Sequence, residues 1–487
     1  MSIPQDMSVR AHARLAAFLL AMPLVAQQPA VTTRPADGVQ VSGTLRVRAE
    51  AWDWFDAGSA GTYAYLHALA RVSAMQTRGA WQWRVEGAVP MLMGLPDAAV
   101  AAAPAGQLGL GASLYVANDN QRSLARAFVK QAYVRWAARG ASVRLGRFEF
   151  VDGAERVAVD PMLAAVKAQR LSQRLLGPFG FSAVGRSFDG VHLATTRGAA
   201  SWTVAALRPT AGAFRADGEP GLNVDVAYAA YSRGRRSARG EQDVRLFALW
   251  YADHRGTIPT DNRTAAARAA DRTDVKVVTL GGHWAGVRRV GDAKFDLLAW
   301  GAWQGGAWGR LDQAANALAL EGGVQHRDLP WSAWLRAGLL RTSGDDNPAD
   351  GTHRTFFQVL PTPRLYARMP FYNAMNSSEA FVSVQARPHA KVSVRVGAHD
   401  LRLTEARDSW YLGGGAFDSR VFGFVGRPSG GHRALARVMD ASVTWQPHAR
   451  LGVELYGAAA RGGAAVGQSY NGSRNARFAY LETTVSR

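Results

Sequence analysis

Apolar and polar side chains alternate along some eighteen segments of this chain, and this alternation constrains the fold more than any other feature. The hairpin of residues 124–148 shows it: on the first arm Val134 and Trp136 are interleaved with Tyr133 and Arg135. Because successive side chains of a strand point to opposite faces, each arm has one apolar face and one face of cations and amides. The period therefore predicts β-strands with an apolar medium on one side and a polar one on the other.

The connections between the predicted strands fall into two classes that alternate along the chain. The short ones are residues 77–79, 139–141, 197–199, 290–292, 327–330, 388–389 and 447–449, with 233–241 as a longer member of the series. The long ones are residues 91–123, 149–184, 255–272, 343–373 and 405–431. Outer-membrane barrels have short periplasmic turns and long extracellular loops, whereas a soluble sandwich has no reason to sort its loops in this way. We predict an all-β fold, a transmembrane antiparallel β-barrel of about 18 strands with both termini in the periplasm.

The first 26 residues resemble a secretory signal peptide. Arg10, His12 and Arg14 precede an apolar run at 15–25, and Ala26 is a small residue suited to cleavage. A buried helix or a membrane anchor is the competing interpretation, but the run is far shorter than the ~20 residues of a spanning helix. We expect a signal peptide at 1–26, a periplasmic segment at 27–41 and an outer-membrane barrel at 42–487, with residue 7 as an alternative start.

Charge and cysteine content narrow the choice of partners. Lys and Arg outnumber Asp and Glu by 57 to 38, and the resulting net charge of +19 predicts an anionic partner. A secretory signal argues against nucleic acid, and the absence of cysteine excludes disulfides and thiolate metal sites. If the polar strand faces point inwards, arginines line a water-filled lumen and favour anions. By alternation these arginines include Arg48, Arg71, Arg144 and Arg387.

Four stretches of the chain resemble the alginate export family of outer-membrane porins. They are VSGTLRVRAEAWDWFD from Val41, VRLGRFEFVDGAERV from Val143, LLGPFGFSAVGRSFDGVHL from Leu175 and RTSGDDNPADGTHRTFFQVLPTPRLYAR from Arg341. The resemblance implies an eighteen-stranded barrel, an electropositive constriction and passive export of an acidic polysaccharide. It also implies roles in shaping that constriction for residues in the matching blocks, namely Arg147, Arg186, Asp189 and Arg364.

The predicted pore-lining, substrate-binding residues are Arg48, Arg71, Arg144, Arg147, Arg186, Asp189, Arg364 and Arg387. We expect a monomer that passes alginate or another polyuronate and contacts outer-membrane lipid and lipopolysaccharide; a periplasmic export partner is compatible with this interpretation. An uptake porin for small organic anions is one alternative, and a non-conducting surface binding or structural barrel plugged by its loops is another. The 11 histidines form no spacing typical of catalysis, so no enzymatic activity, cofactor or metal is predicted.

Two loop segments have a local pattern of their own. Residues 161–176 begin with proline and include Lys167, Arg170 and Arg174, which predicts a short amphipathic helix. This helix either folds into the lumen to gate it, or lies over the barrel rim or against lipopolysaccharide. The acidic cluster at 345–350 offers oxygen ligands for calcium but lacks the EF-hand spacing, so turns held by Asx hydrogen bonds are the preferred interpretation.

Overall fold

The computed structural model describes residues 38–55, 58–362, 365–470 and 474–487, and within these ranges it confirms the predicted barrel. Numbered in chain order, its eighteen long strands are β1 Gln40–Asp53, β2 Thr62–Arg78, β3 Trp81–Met93, β4 Phe128–Ala138, β5 Ala141–Phe148, β6 Phe188–Arg197, β7 Ala200–Pro209, β8 Val224–Ser237, β9 Gly240–Asp253, β10 Val275–Val290, β11 Ala293–Trp308, β12 Leu311–His326, β13 Trp334–Thr342, β14 Ser377–His389, β15 Val392–Leu403, β16 Ala434–His448, β17 Leu451–Gly462 and β18 Asn475–Ser486. Each corresponds to one predicted strand. The predicted signal peptide and residues 27–37 lie outside the described residues.

The sheet closes on itself, because β1 pairs with both β2 and β18. The closing register runs from Thr44 opposite Ser486 to Asp53 opposite Arg477. Closure satisfies the backbone groups of both terminal strands, so neither is left as an open edge. Within the described ranges, no helix combines the length and apolar character needed to span a bilayer.

The outer wall is apolar and the inner wall is polar or aromatic, as the alternation predicts. On β5 and β6, Leu145 and Leu193 point outwards and are 64% and 41% exposed. On the opposite face of β1 and β9, Arg48, Glu50 and Arg245 point inwards and are buried. A large exposed apolar surface of this kind marks contact with lipid, since water would penalise it.

Short and long connections alternate along the barrel, as predicted from the sequence. At one end, two-residue turns occupy 79–80, 139–140, 198–199, 238–239, 291–292, 390–391 and 449–450, together with the seven-residue connection 327–333. The start of β1 and the end of β18 lie at this short-turn end. The predicted longer connection at 233–241 is wrong, because Arg235 and Arg236 continue β8 and the turn holds only two residues. Only residues 309–310 form a tight turn at the other end of the described barrel.

The long loops fold back into the barrel and build a core there. Loop 149–187 and loop 343–376 run side by side: Gly177 N donates to Leu360 O at 2.9 Å, and Leu360 N donates to Leu175 O at 2.9 Å. From the second loop Phe356 packs near the inward-facing Trp300, with ring centroids 6.4 Å apart. The loops therefore fill part of a lumen that the strand pattern alone predicts to be water-filled.

Smaller elements lie within the long loops. Helix α1 is Leu110–Ala117, α2 is Pro161–Val166 and α3 is Ala265–Ala269, with single helical turns at Gly58–Gly61, Pro330–Ser332 and Val466–Gln468. Two-residue strands at Leu124–Ala125 and Thr352–His353 extend the barrel sheet, and Trp410–Gly413 pairs with Phe424–Arg427 in a separate hairpin.

Candidate functional site

A cavity of about 490 Å³ lies inside the barrel at the short-turn end, and we call it the cationic vestibule. Its wall comes from β1, β2 and β16 to β18, and its inner end is closed by residues 180–185 together with Thr362 and Arg368. The cations that line it are Arg46, Arg48, Arg71, Arg368 and Arg450, and the anions are Glu149, Glu454 and Glu482. Cations therefore exceed anions by five to three among these lining residues.

Two arginines of β1 hold the tip of loop 149–187 against the wall. Arg46 donates to Gly180 O at 2.5 Å and also to Ser182 O. Arg48 donates to Phe181 O at 2.8 Å, and its guanidinium lies 3.9 Å from the centre of the Phe181 ring. The alternation of β1 brings both side chains to the inner wall, where they bind carbonyl groups that no strand pairs.

Arg71 and Arg368 are fixed by carboxylates at the edge of the vestibule. Arg71 Nε donates to Glu86 at 2.7 Å, and its Nη2 donates to Glu149 at 3.2 Å. Arg368 bonds to Glu454, and its backbone N–H donates to Asp440 at 3.2 Å. These pairs hold the guanidinium groups in place but neutralise part of the positive field.

Arg144 and Arg387 are two predicted residues whose positive charge no neighbouring described carboxylate offsets. Both lie on the inner wall near the short-turn end, and within the described ranges neither has a carboxylate within 4 Å. Arg144 instead stacks on Phe148 at 3.9 Å and lies 3.3 Å from His192 Nδ1. Their position agrees with the prediction from strand alternation.

Arg186 is buried between loops and does not line the vestibule. It donates to Gly414 O and lies 5.8 Å from the Phe179 ring, which ties loop 149–187 to loop 404–433. Burial lowers its pKa to about 9, since the surrounding loops take water away from the guanidinium. Its predicted pore-lining role is therefore corrected to that of a residue that holds two loops together.

Arg147 and Asp189 pair on the outer wall, so their predicted position in the pore is wrong. Arg147 Nε and Nη2 lie 2.7 and 2.8 Å from the two carboxylate oxygens of Asp189. Arg147 also lies 3.1 Å from Glu219 in the loop above. Both residues share the strand face of Leu145, which points to lipid. Arg364, the remaining predicted residue, lies outside the described residues.

The predicted amphipathic helix lies inside the barrel, which rules out the rim position. Asp160 caps α2 by accepting from Met162 N at 2.9 Å, and a wider helical turn at Lys167–Leu171 ends the helical segment before Ser172. Lys167 Nζ lies 2.5 Å from Asp243, and Arg170 Nε lies 3.3 Å from Glu321. The basic face that the sequence shows is thus turned towards inward carboxylates of β9 and β12.

The cluster at 345–350 forms the Asx-bonded turns that the sequence favours. Asp345 accepts from Asn347 N at 3.1 Å, and Asp350 accepts from Thr352 N at 3.0 Å. In the described part of the chain, no three Asp, Glu, His or Cys side chains converge as metal ligands would. Burial raises the pKa of Asp345 to about 6.

Several vestibule residues were not singled out from the sequence. Glu482 was detectable, because it alternates with Tyr480 on the last strand and so faces inwards. Arg368 and Phe181 were not, because they reach the vestibule through the path of loops 343–376 and 149–187. No local pattern encodes such a path.

Comparisons with known proteins agree with this architecture. The family model described as alginate export matches residues 39–480. A BenF-like porin from Pseudomonas fluorescens Pf-5 superimposes with a TM-score of 0.57 at 9% identity, over 92% of this chain and 98% of that one. OpdK from Pseudomonas aeruginosa, solved with vanillate, gives 0.53 at 10% identity over 92% and 98% of the two chains.

A third similar structure is OccK2 (OpdF) from Pseudomonas aeruginosa in complex with glucuronate, with a TM-score of 0.52 at 10% identity over 92% of this chain and 96% of that one. At such low identity these structures show a shared fold alone. A search of curated protein sequences returned no significant match. Since the family model spans nearly the whole described barrel, the chain belongs to the alginate export family of outer-membrane porins.

Proposed function

We propose that this porin is anion-selective and lets an acidic polysaccharide, alginate or another polyuronate, diffuse through its arginine-lined lumen. The observation that supports this most directly is the cationic vestibule, where five arginines face three glutamates. Arg144 and Arg387 add further positive charge on the inner wall. Arg48, Arg71, Arg144 and Arg387 are thus the predicted residues that we retain for substrate contact.

Arginine suits this task for two physical reasons. Its guanidinium remains charged at any physiological pH and donates a fork of hydrogen bonds to a carboxylate. A row of moderate contacts, none strong enough to trap the chain, lets a polymer advance from one to the next. No bond is made or broken in this process, so we propose transport and not catalysis.

We further propose that the short-turn end, with both termini, faces the periplasm. Bacterial outer-membrane barrels place short turns there and long loops outside. The vestibule would then be the entrance for a polymer that leaves the cell, and a periplasmic partner would deliver the polymer to it. We expect the porin to act as a monomer; the barrel needs no second chain to close.

Uptake of small organic anions is the second candidate. The fold neighbours solved with vanillate and glucuronate are structures of proteins with small carboxylates. A vestibule of about 490 Å³ accommodates a molecule of that size as it stands, whereas a polymer requires the inner loops to move. A non-conducting binding or structural barrel is the third candidate, favoured by the loop core inside the lumen.

The reversal potential of the refolded protein in a planar bilayer under a salt gradient tests these functions. We expect anion-selective current that a polyuronate blocks and a neutral glucan does not. Block by a monomeric uronate but not by the polymer would favour uptake of small anions. The absence of current would favour the plugged barrel.

A matched pair of variants tests the role of the lumen arginines. Arg144→Gln with Arg387→Gln removes two inward charges and should lower anion preference. Arg402→Gln with Arg437→Gln removes two exposed charges from the outer wall and should leave it unchanged. Equal effects of the two double variants would contradict a lumen field as the source of selectivity.

A further inference from the structure

Every short turn of the barrel carries an exposed or half-exposed arginine at the turn or within three residues of it. These are Arg78, Arg139, Arg197, Arg239, Arg289, Arg327, Arg387 and Arg450. Over the same spans the described carboxylates are Glu241, Asp292 and Asp328. The long loops, in contrast, contain acidic and basic residues in similar numbers. The excess positive charge of the chain is therefore concentrated at the short-turn end.

Exposed aromatic side chains on the outer wall mark the depth of this end in the bilayer. Trp81, Trp202 and Trp445 point outwards within four residues of the short turns. Tryptophan prefers the boundary between hydrocarbon and headgroups. The turn arginines therefore lie at the level of the lipid headgroups.

One part of this end forms a groove of about 590 Å³ on the outer wall, and we call it the headgroup groove. It lies between the β8–β9 hairpin and the ends of β10 and β11 and is lined by Arg235, Arg239, Arg288, Trp284, Phe295 and Leu297. The indole N–H of Trp284 donates to Gln242 Oε1 at 3.3 Å, which holds the ring along the groove.

The three arginines of the headgroup groove are exposed, and no described carboxylate lies within 4 Å of any of them. Glu241 also lines the headgroup groove, two residues beyond the turn, but its carboxylate points inwards, where it lies 3.1 Å from Arg156 and accepts from Val159 N at 2.9 Å. It therefore leaves the charge of the groove uncompensated.

A second, apolar groove of about 390 Å³ shares a wall with the first, and we call it the acyl groove. Phe295 and Leu297 line both grooves, and Gly322, Val324, Leu335 and Ala337 complete the second. The groove is deep at Gly322 because this residue has no side chain to fill it. A Cβ built there would lie 3.1 Å from Leu297 Cδ2. Asp296 also borders it, but its carboxylate points inwards to Trp334 and Arg336.

We infer that the two grooves together bind an anionic glycerophospholipid, with its phosphate on Arg235, Arg239 and Arg288 and an acyl chain in the acyl groove. Guanidinium groups recognise phosphate oxygens by paired, charge-assisted hydrogen bonds. The apolar groove beside them fits hydrocarbon, and its side chains offer no hydrogen bonds to a free inorganic anion. The juxtaposition of both features at headgroup depth selects a lipid of the leaflet that surrounds the short-turn end.

Native mass spectrometry of the full-length refolded protein tests this site, with phosphatidylglycerol and phosphatidylcholine offered at equal concentration. We expect a preference for phosphatidylglycerol that the triple variant Arg235→Gln, Arg239→Gln and Arg288→Gln abolishes. Loss of three charge-assisted hydrogen bonds to one phosphate corresponds to an affinity at least about a hundredfold lower.

The matched control is the triple variant Arg78→Gln, Arg139→Gln and Arg197→Gln, which removes the same charge from three other turns and should keep the preference. Gly322→Leu fills the acyl groove and should weaken binding of both lipids, while the preference between them remains. Equal losses in the two triple variants, or displacement of the lipid by millimolar inorganic phosphate, would overturn the inference. A wild-type far-ultraviolet circular dichroism spectrum in every variant shows that the barrel has folded, so this test does not depend on conductance or on the transported substrate.

Discussion

Arg48 on the first strand and Glu482 on the last strand face each other across the seam that closes the barrel. They are direct partners in the strand register, and Arg48 Nε and Nη2 lie 2.8 and 2.5 Å from Glu482 Oε2. Both are buried, and Glu482 Oε2 also lies 3.6 Å from Arg46 Nε. One carboxylate thus joins the ends of the sheet and offsets two arginines of the cationic vestibule.

Glu482→Gln should make the pore more anion-selective and the barrel less stable. The amide keeps the shape of the side chain but removes the carboxylate beside Arg46 and leaves Arg48 with Glu50 alone, at 3.2 Å. Removing one partner from a buried ion pair costs about 3 to 5 kcal/mol, and the amide oxygen, which still accepts a hydrogen bond, should keep the cost near the lower figure. The reversal potential and the urea midpoint of unfolding measure the two effects.

Asp225→Asn is the control for this variant. Asp225 pairs with Arg208 at 2.7 Å on the outer wall, and both side chains are well exposed. The exchange removes one negative charge from the chain but none from the vestibule. A shift in reversal potential as large as that of Glu482→Gln would contradict the role of Glu482 in setting the charge of the vestibule.

Local alternation predicts the residues of the inner wall correctly. The residues placed wrongly are those for which the family resemblance was followed instead. Arg48, Arg71 and Arg144 lie on the inner wall because the direction of a side chain follows from its parity along a strand. The family resemblance, and not alternation, predicts Arg147 and Asp189 for the pore, although Arg147 shares its parity with Leu145. The sequence therefore contained the signal that places this pair outside.

The course of the long loops could not be predicted in the same way. Arg46 binds the carbonyl of Gly180, which is 134 residues away, and such a contact depends on where an entire loop turns. The sequence around Arg186 has no pattern that distinguishes a residue holding two loops together from a residue that lines the pore. The basic face of the helical segment at 161–171 was visible, but its carboxylate partners on β9 and β12 became clear only from the structure.

Deleting residues 164–173 should widen the pore and raise single-channel conductance. The deletion removes Lys167 and Arg170 from the lumen, while Asp243 keeps Arg156 at 3.3 Å and Glu321 keeps Arg336 at 3.1 Å. Neither carboxylate is left without a cation, so the wall should persist. Planar-bilayer recordings and polyuronate flux into vesicles measure the change.

The exposed helix α3 provides the comparison for that deletion. None of its residues at 265–269 is buried, so removing them should leave conductance as it is. Unaltered conductance and flux in the 164–173 deletion would sink the idea that this segment restricts the pore.

Glu321→Gln should loosen the helical segment without removing it. Glu321 lies near three arginines, with distances of 3.3 Å to Arg170, 3.8 Å to Arg174 and 3.1 Å to Arg336. Without the carboxylate these buried cations repel one another, and the two on the loop are free to leave. We expect more frequent transitions between current levels. Asp296→Asn, which pairs with Arg336 alone among these arginines, should not produce them.

The docking of loop 404–433 onto loop 343–376 should strengthen at acidic pH. Asp408 is buried at their contact and accepts from Thr355 Oγ1 at 2.6 Å and from Asp345 N at 3.1 Å. Burial raises its pKa to about 6 from an ordinary 3.8. A raised folded-state pKa means that the contribution of Asp408 to stability is complete below about pH 4 and is lost as the pH rises through about 6.

Amide hydrogen exchange of residues 404–413 at pH 4.5 and pH 7.5, expressed as protection factors, measures this contribution. The contribution of His353 to stability changes with pH in the opposite sense, because burial lowers its pKa to about 3. The comparison is therefore made between wild type and Asp408→Asn, which share His353. We expect the advantage of wild type over this variant to shrink between the two pH values. Asp418→Asn is the control: although burial opposes it, the hydrogen bond from Arg420 lowers the pKa of Asp418 to about 2, so this group stays ionised throughout. A wild-type advantage that is equal at both pH values would show that Asp408 does not titrate in this range.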